Sequence, residues 1–328
     1  MNINKLNRVL ILVIYTTVLL CNTNSKASPP VYHYDFAVVN KSFLRDLKRS
    51  LNLYQSFEKY FVGASDVPFY IILPKKDLKY FEDKFAELKN QGHISNLPKF
   101  LTELEVLERC AEPDITREGY WTQQVCKLCF GLLGIAKNYL VLDSDCYFTK
   151  RFDKKILFIG DKIKTYAGKL TDDDIKENKE ERSFFLRKPP IFNNINIYDS
   201  RMLPKKFFGN RNPIFYDFVI AGPIPFSSDA VFRMRNFIKD KELNFSMLIN
   251  LYPWEFQWYG EYMLQHENFF LMPRLFTYIN SNKICVPEVG LPGHYGIAYQ
   301  SILYSPASGE SEQRDDDDIV YLRSSHCK

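Results

Sequence analysis

The sequence predicts an α/β fold, a single domain with a mostly parallel central sheet flanked by helices, and three observations carry that expectation. Short apolar runs alternate with segments in which apolar residues recur every three or four positions, the periods of strand and helix respectively. The order over residues 34–88 is strand, helix, strand, helix, the rhythm of helices laid on the faces of a parallel sheet. One run, Tyr139-Leu140-Val141-Leu142, is continuously apolar, as in a strand buried on both faces.

Taken in order, Tyr34-Asp35-Phe36-Ala37-Val38-Val39 reads as the first strand, ending at Asn40. A helix follows, with Phe43, Leu47, Leu51, Tyr54 and Phe57 at helical spacing. Pro68-Phe69-Tyr70-Ile71-Ile72-Leu73 is the next strand, stopped by Pro74. The second amphipathic helix runs from Lys76 to Leu88, with Leu78, Phe81, Phe85 and Leu88 on one face. Trp121, Val125, Leu128 and Leu132 define a third helix that Gly134 stops, and the Tyr139–Leu142 strand comes directly after. From about Asp161 to Lys188 the chain turns polar and reads as an exposed helix or loop. Strand character returns at Tyr216-Asp217-Phe218-Val219-Ile220, with a helix near Ser228–Phe237. The expected division is residues 1–30 as a leader, 31–305 as the domain, and 306–328 as an acidic, solvated tail around Asp315–Asp318.

The leader has Lys5 and Arg8 before an apolar run from Val9 to Cys21, then polar residues and Pro29-Pro30. That run is shorter than the roughly 20 residues that a membrane-crossing helix needs. It suits a signal peptide, with Ser25-Lys26-Ala27 as a cleavage site, or a membrane anchor through residues 9–21. The expected location is therefore membrane-associated or cytoplasmic, or secreted if residues 1–27 are removed.

Composition excludes several classes. A net charge of +4, with Lys and Arg spread among acids, does not make a nucleic-acid footprint. Seven scattered cysteines give no disulfide framework; Cys126 and Cys129 form a CxxC without a second pair, so they read as buried thiols rather than zinc ligands. Aromatics reach 16%, most of them expected in the core.

The chemistry centres on Asp143-Ser144-Asp145, which closes the Tyr139–Leu142 strand. Ligands of open α/β sheets bind beyond the carboxyl ends of the strands. Two carboxylates at i and i+2 there can meet one hard cation, Mn²⁺ or Mg²⁺, together with substrate phosphates. On the helix before, Gln123, Gln124 and Lys127 share a face, since residues three and four apart are neighbours; they line either a ligand or the solvent. In Trp254-Glu255-Phe256-Gln257-Trp258-Tyr259-Gly260-Glu261, aromatic rings surround two acids. A carboxylate desolvated among rings has a raised pKa and can serve as a base, with Glu255 preferred over Glu261; the alternative is a helix start whose acids are exposed. Pro292-Gly293-His294-Tyr295-Gly296 places His294 in a Gly-rich turn as a candidate third metal ligand.

Two segments carry a resemblance. Gly119-Tyr120-Trp121-Thr122-Gln123-Gln124-Val125-Cys126-Lys127-Leu128, then Val141-Leu142-Asp143-Ser144-Asp145-Cys146-Tyr147-Phe148, is similar to a largely uncharacterised bacterial family of glycosyltransferases. In that family an aromatic-Gln-Gln-x-x-Lys-Leu helix leads into a DxD strand, and Trp254–Gly260 resembles its later Glu-aromatic segment. The resemblance implies a GT-A-like fold, a UDP- or GDP-linked nucleotide-sugar donor and a divalent metal, with Asp145 the direct ligand and Asp143 nearer the ribose or the metal's waters. The hydrophobic leader is a departure from that family, and His294 lacks the Lys-Pro-Trp context of glycogenin-like transferases. The expected activity is hexosyl transfer to a glycan or lipid-linked acceptor, with Gln123, Gln124 and Lys127 lining the donor side and Glu255 near the acceptor as base or orienting group. An exported, non-catalytic glycan-binding protein is the alternative, and a nucleotidyltransferase the more distant one, since Asn40-Lys41-Ser42 is no Gly-rich phosphate loop.

Overall fold

The computed structural model describes residues 29–112, 119–170, 172–173, 176, 197–218, 224–267, 270–272, 277–280 and 296–300. The chain divides into two units, Met1–Val31 and Tyr32–Lys328, and every strand and helix named here belongs to the second. The expected leader, the tail beyond residue 305 and His294 lie outside the described residues. Among the described residues no helix is long and apolar enough to cross a membrane.

The strands in chain order are β1 (Tyr34–Lys41), β2 (Phe69–Leu73), β3 (Lys99–Thr102), β4 (Ala136–Asp143) and β5 (Cys146–Phe148). Then come β6 (Phe158–Ile159), β7 (Lys162–Tyr166), β8 (Gly168–Lys169), β9 (Tyr216–Asp217) and β10 (Pro225–Ser227). β11 (Phe270–Met272), β12 (Thr277–Asn280) and β13 (Gly296–Gln300) complete the set. The helices are α1 (Leu47–Tyr60), α2 (Lys75–Asn90), α3 (Glu103–Arg109) and α4 (Tyr120–Cys129). After them come α5 (Ile197–Phe207), α6 (Ser228–Lys239), α7 (Phe245–Leu251) and α8 (Glu255–His266).

The central sheet has the order β10-β4-β1-β2-β3. β1 pairs in parallel with β2 and β4, β2 in parallel with β3, and only β10 runs antiparallel, against β4. The sheet is thus mostly parallel and flanked by helices, as the alternating apolar pattern predicts. All five residues of β2 are buried, and so are residues 138–142 of β4. Leu140 pairs with Val38 and Leu142 with Asn40, so β1 and β4 finish together, with Lys41 opposite Asp143. That register brings the DxD turn to the carboxyl edge of the sheet beside the end of β1.

Helical spacing explains which faces are covered. Ser50, Leu53, Tyr54 and Phe57 of α1 are buried, a stripe at i, i+3, i+4 and i+7. Rings continue inward from it: Tyr54 meets Phe69 edge-on at 5.1 Å, Phe57 meets Phe61 at 4.9 Å, and Phe61 meets Phe148 at 5.8 Å. This aromatic stack ties α1 to β2 and to β5, the strand that follows the DxD turn. α4 continues as a 3₁₀ turn over Phe130–Leu132, and Gly134 ends the segment with φ +69°, a left-handed conformation that costs glycine no Cβ clash. β3 and α3 add to the elements that periodicity predicts; Thr102 and Glu105 close a capping box that starts α3.

α8 is buried along most of its length, including both acids: Glu255 is 1% exposed and Glu261 0%. The reading of this segment as a helix start with exposed acids is therefore corrected: the rings of the segment and its neighbours enclose both carboxylates. A Cβ at Gly260 would stand 2.2 Å from Cγ of Phe218, so only glycine lets that ring lie against the helix. Glu261 accepts from Asn210 Nδ2 at 2.7 Å and from Gln257 Nε2 at 3.2 Å, while Gln257 accepts from the Phe218 amide and donates to the Tyr216 carbonyl. Burial pushes the Glu261 carboxyl up to about 7, opposed by Asn210, Lys205 and Gln257.

A carboxyl whose folded pKa exceeds its unfolded value binds more protons folded than unfolded between the two values, so its contribution disfavours the folded state increasingly as pH rises from about 4.5 to about 7. The thermal midpoint of Glu261→Gln is expected to fall less between pH 5 and pH 8 than that of the wild-type chain. Parallel slopes measured by scanning calorimetry would show that Glu261 does not titrate in that window.

Candidate active site

The last residue of β4, Asp143, turns its side chain toward α4. Its Oδ1 accepts from Lys127 Nζ at 2.7 Å and from Gln123 Nε2 at 2.9 Å. Lys127 also donates to Oε1 of Glu255 at 2.8 Å. The Gln124 amide, oriented by its neighbours with nitrogen toward Glu255, donates to both oxygens of that carboxylate, at 2.9 Å to Oε1. One helix therefore serves two carboxylates. Gln123 and Lys127, at i and i+4, hold Asp143, while Gln124 and Lys127, at i and i+3, hold Glu255. Of the two readings open in the sequence for this face, the solvent-facing one is excluded for Gln124 and Lys127, which are buried.

Three charges meet here in different surroundings. The Lys127 and Glu255 side chains are 2% and 1% exposed, whereas that of Asp143 is 39% exposed. Burial alone would lower the Lys127 pKa, but Asp143 and Glu255 outweigh it and hold the ammonium above its usual range. Burial pushes the Glu255 carboxyl up to about 7, against the pull of Lys127. Glu255 is the first residue of α8, where the free amides of a helix start favour a negative charge. Asp143 alone of the three reaches well into solvent.

Ser144 and Asp145 make the turn from β4 to β5. Ser144 is buried in a polar knot: Asn40 Nδ2 donates to the Leu142 carbonyl at 2.9 Å, Ser144 Oγ donates to Ser42 Oγ at 3.0 Å, and Ser42 and Ser50 hydroxyls lie 2.7 Å apart. Ser50 in turn donates to Asn40 Oδ1 at 3.2 Å. This knot fixes the turn from below, and Asp145 is left half-buried at the edge. Burial, then the charges of Asp145 and Asp143, raise the pKa of the Cys146 thiol, which places both carboxylates close to it. β5 is further paired with β13, whose first residue, Gly296, lies two positions beyond His294.

Beside this group, Lys41 is wholly buried, paired with Glu103 at 2.9 Å and lying 3.4 Å over the ring of Phe43. Burial draws its ammonium below the usual range, with Glu103 opposing. Asn40, Lys41, Ser42, Ser50 and Glu103 are not among the candidates that sequence reasoning finds. The available signal was a polar triplet, Asn40-Lys41-Ser42, directly after a buried strand and at its carboxyl end.

The structure thus brings together five of the seven candidates, Gln123, Gln124, Lys127, Asp143 and Glu255, with Asp145 two residues from Asp143. His294 lies outside the described residues. Among those residues no group of three or more His, Cys, Asp or Glu side chains is arranged to hold a metal. Asp143 and Asp145, two oxygen donors from one turn, are the site residues whose chemistry could meet a hard cation.

Removing one partner from a buried ion pair typically costs about 3–5 kcal/mol, because the other charge is stranded. Lys127→Met is expected to destabilise the chain by about that much at pH 8, and Lys127→Met/Glu255→Gln to recover at least half of the loss. Urea unfolding of both variants tests this; a single variant as stable as wild type would mean that Lys127 is not the tie between the two carboxylates.

Comparison with known proteins adds a family match and a distant likeness. Residues 37–175 match the model of a family described as "Family of unknown function (DUF6492)". The matched stretch contains Gln123, Gln124, Lys127, Asp143 and Asp145, and leaves Glu255 outside it. No curated protein matches the chain. A solved structure named "WbbM bifunctional glycosytransferase apo structure" aligns at 13% identity with a TM-score of 0.43, over 77% of this chain and 41% of that one. The chain spans about two-fifths of the length of that protein.

Proposed function

We propose that the chain is a glycosyltransferase that moves a hexose from a nucleoside-diphosphate sugar to a glycan or lipid-linked acceptor, with the donor diphosphate at the Asp143–Asp145 turn. The observation that carries this reading is the exposed Asp143 carboxylate at the carboxyl edge of a parallel sheet, fixed from behind by Lys127 and Gln123 while Asp145 stands two residues on. Ligands of open α/β sheets gather at that edge. The resemblance of the α4 and DxD segments to the bacterial glycosyltransferase family points the same way.

Charge balance supports a divalent cation at the turn. One ammonium, Lys127, is shared by the Asp143 and Glu255 carboxyls, and Asp145 adds a further carboxylate at the turn, so negative charge exceeds positive among these four groups even with Glu255 protonated. Mn²⁺ or Mg²⁺ held by these two carboxylates would neutralise the leaving diphosphate. Glu255, 1% exposed, is read as an orienting group that acts through Lys127 and not as a base touching the acceptor. Lys127 and Gln123 hold the Asp143 carboxylate in one rotamer; Gln124 holds Glu255 in turn. A UDP- or GDP-linked donor is the expected substrate.

The test is thermal stability of residues 28–328 with Mn²⁺ and a panel of nucleoside diphosphates, beside Asp145→Ala. A ligand at 100 times its Kd stabilises the folded state by about 2.7 kcal/mol. A metal-dependent rise in midpoint with UDP or GDP, lost in the variant, is the expected result. No response to any nucleotide would exclude the transferase and leave glycan binding without catalysis as the reading to pursue.

A further inference from the structure

A cluster of half-buried rings lies at the starts of α4 and α8, the two helices that carry Gln123, Lys127 and Glu255. Tyr120, the first residue of α4, meets Trp121 edge-on at 6.0 Å and Trp254 edge-on at 5.7 Å. All three are partly exposed. Each comes from a helix start: Tyr120 follows Gly119, whose φ of +79° turns the chain into α4, and Trp254 immediately precedes α8. Trp254 is held by its amide's bond to the Tyr252 carbonyl at 2.9 Å, and the same carbonyl accepts from Trp258 Nε1 at 2.7 Å. The rings are therefore mounted on rigid supports.

Their neighbours in sequence are the polar groups of the site. Glu255 follows Trp254, and Gln123 lies one turn beyond Tyr120, its Nε2 bonded to Asp143. An apolar ring face beside a fixed amide and a half-exposed carboxylate matches a sugar ring, which offers a C–H face for stacking and a hydroxyl edge for hydrogen bonds. An acyl chain would instead call for a continuous apolar groove, which a buried ion group within one residue of Trp254 interrupts.

We propose that Tyr120, Trp121 and Trp254 form the acceptor platform, and that the acceptor is a carbohydrate, stacked on these rings with hydroxyls turned toward Gln123. This rests on the transferase reading only in naming the bound sugar an acceptor. The test is binding of the full chain to a broad glycan array, followed by titration of the strongest ligand against wild type, Trp254→Leu, Tyr120→Leu and Tyr80→Ser, with the UDP and Mn²⁺ midpoint shift measured on each preparation. Tyr80 is an exposed ring on α2, 51% accessible, and serves as the control. Glycan affinity should fall at least tenfold in Trp254→Leu and Tyr120→Leu, and remain within twofold in Tyr80→Ser, while the nucleotide response persists in all of them. Should Trp254→Leu fail to fold, Tyr120→Leu and quenching of tryptophan fluorescence by the glycan decide the matter. Binding to no glycan, or binding that survives both replacements, overturns the platform even if UDP binds. Glycan binding lost in both replacements without any nucleotide response supports the platform and removes the transferase.

Discussion

The Lys127 ammonium is the constraint from which the rest of the site derives. It is buried, and a buried cation is tolerable only with carboxylates and hydrogen bonds around it. Asp143 and Glu255 supply those partners from the two ends of the architecture: one ends a parallel strand, the other opens a helix far along the chain. Satisfying Lys127 therefore docks α8 on α4 and fixes Asp143 at the sheet edge in the same act. Gln123 and Gln124 reinforce one carboxylate each, so a single turn of helix specifies the geometry of both.

A second constraint acts from the opposite face of the sheet. The Asn40, Ser42, Ser50 and Ser144 knot gives every polar atom it uses a partner inside the core, where an unsatisfied group would be costly. It links the ends of β1 and β4 to α1. The turn that carries Asp145 is thus braced from below by neutral hydrogen bonds while charge is arranged above. That division suits a site whose outward face keeps its negative charge for a ligand.

The architecture was legible where periodicity is strong. β1, β2 and β4 each contain a continuous apolar run, α1 and α2 have clean stripes, and the DxD turn followed from the apolar run before it. Gln123, Gln124 and Lys127 could be grouped because helical spacing alone puts them on one face. What spacing could not say was that this face is buried, because that depends on Glu255, 128 positions from Lys127 in sequence. β3 and α3 escape a reading by periodicity although Thr102-Glu103-Leu104-Glu105 carries the capping-box pattern; Lys99-Phe100-Leu101-Thr102 is too short and mixed to stand out as a strand. The two-residue strands β6 and β8 have no periodicity to read, and they form through pairing with other segments. The burial of Glu255 and Glu261 was legible in the rings that surround them in sequence, and the alternative of exposed acids at a helix start fails because those rings enclose both carboxylates.

The central claim is that the Asp143–Asp145 turn binds a divalent cation together with a nucleoside diphosphate. Its most direct test is the electron paramagnetic resonance signal of free Mn²⁺, titrated with the protein in the presence and absence of UDP and of GDP. The account predicts weak loss of signal with protein alone, much stronger loss when one of the nucleotides is present, and neither effect in Asp143→Ala/Asp145→Ala. Mn²⁺ binding that is equal in the double variant, or no binding with either nucleotide, would contradict it.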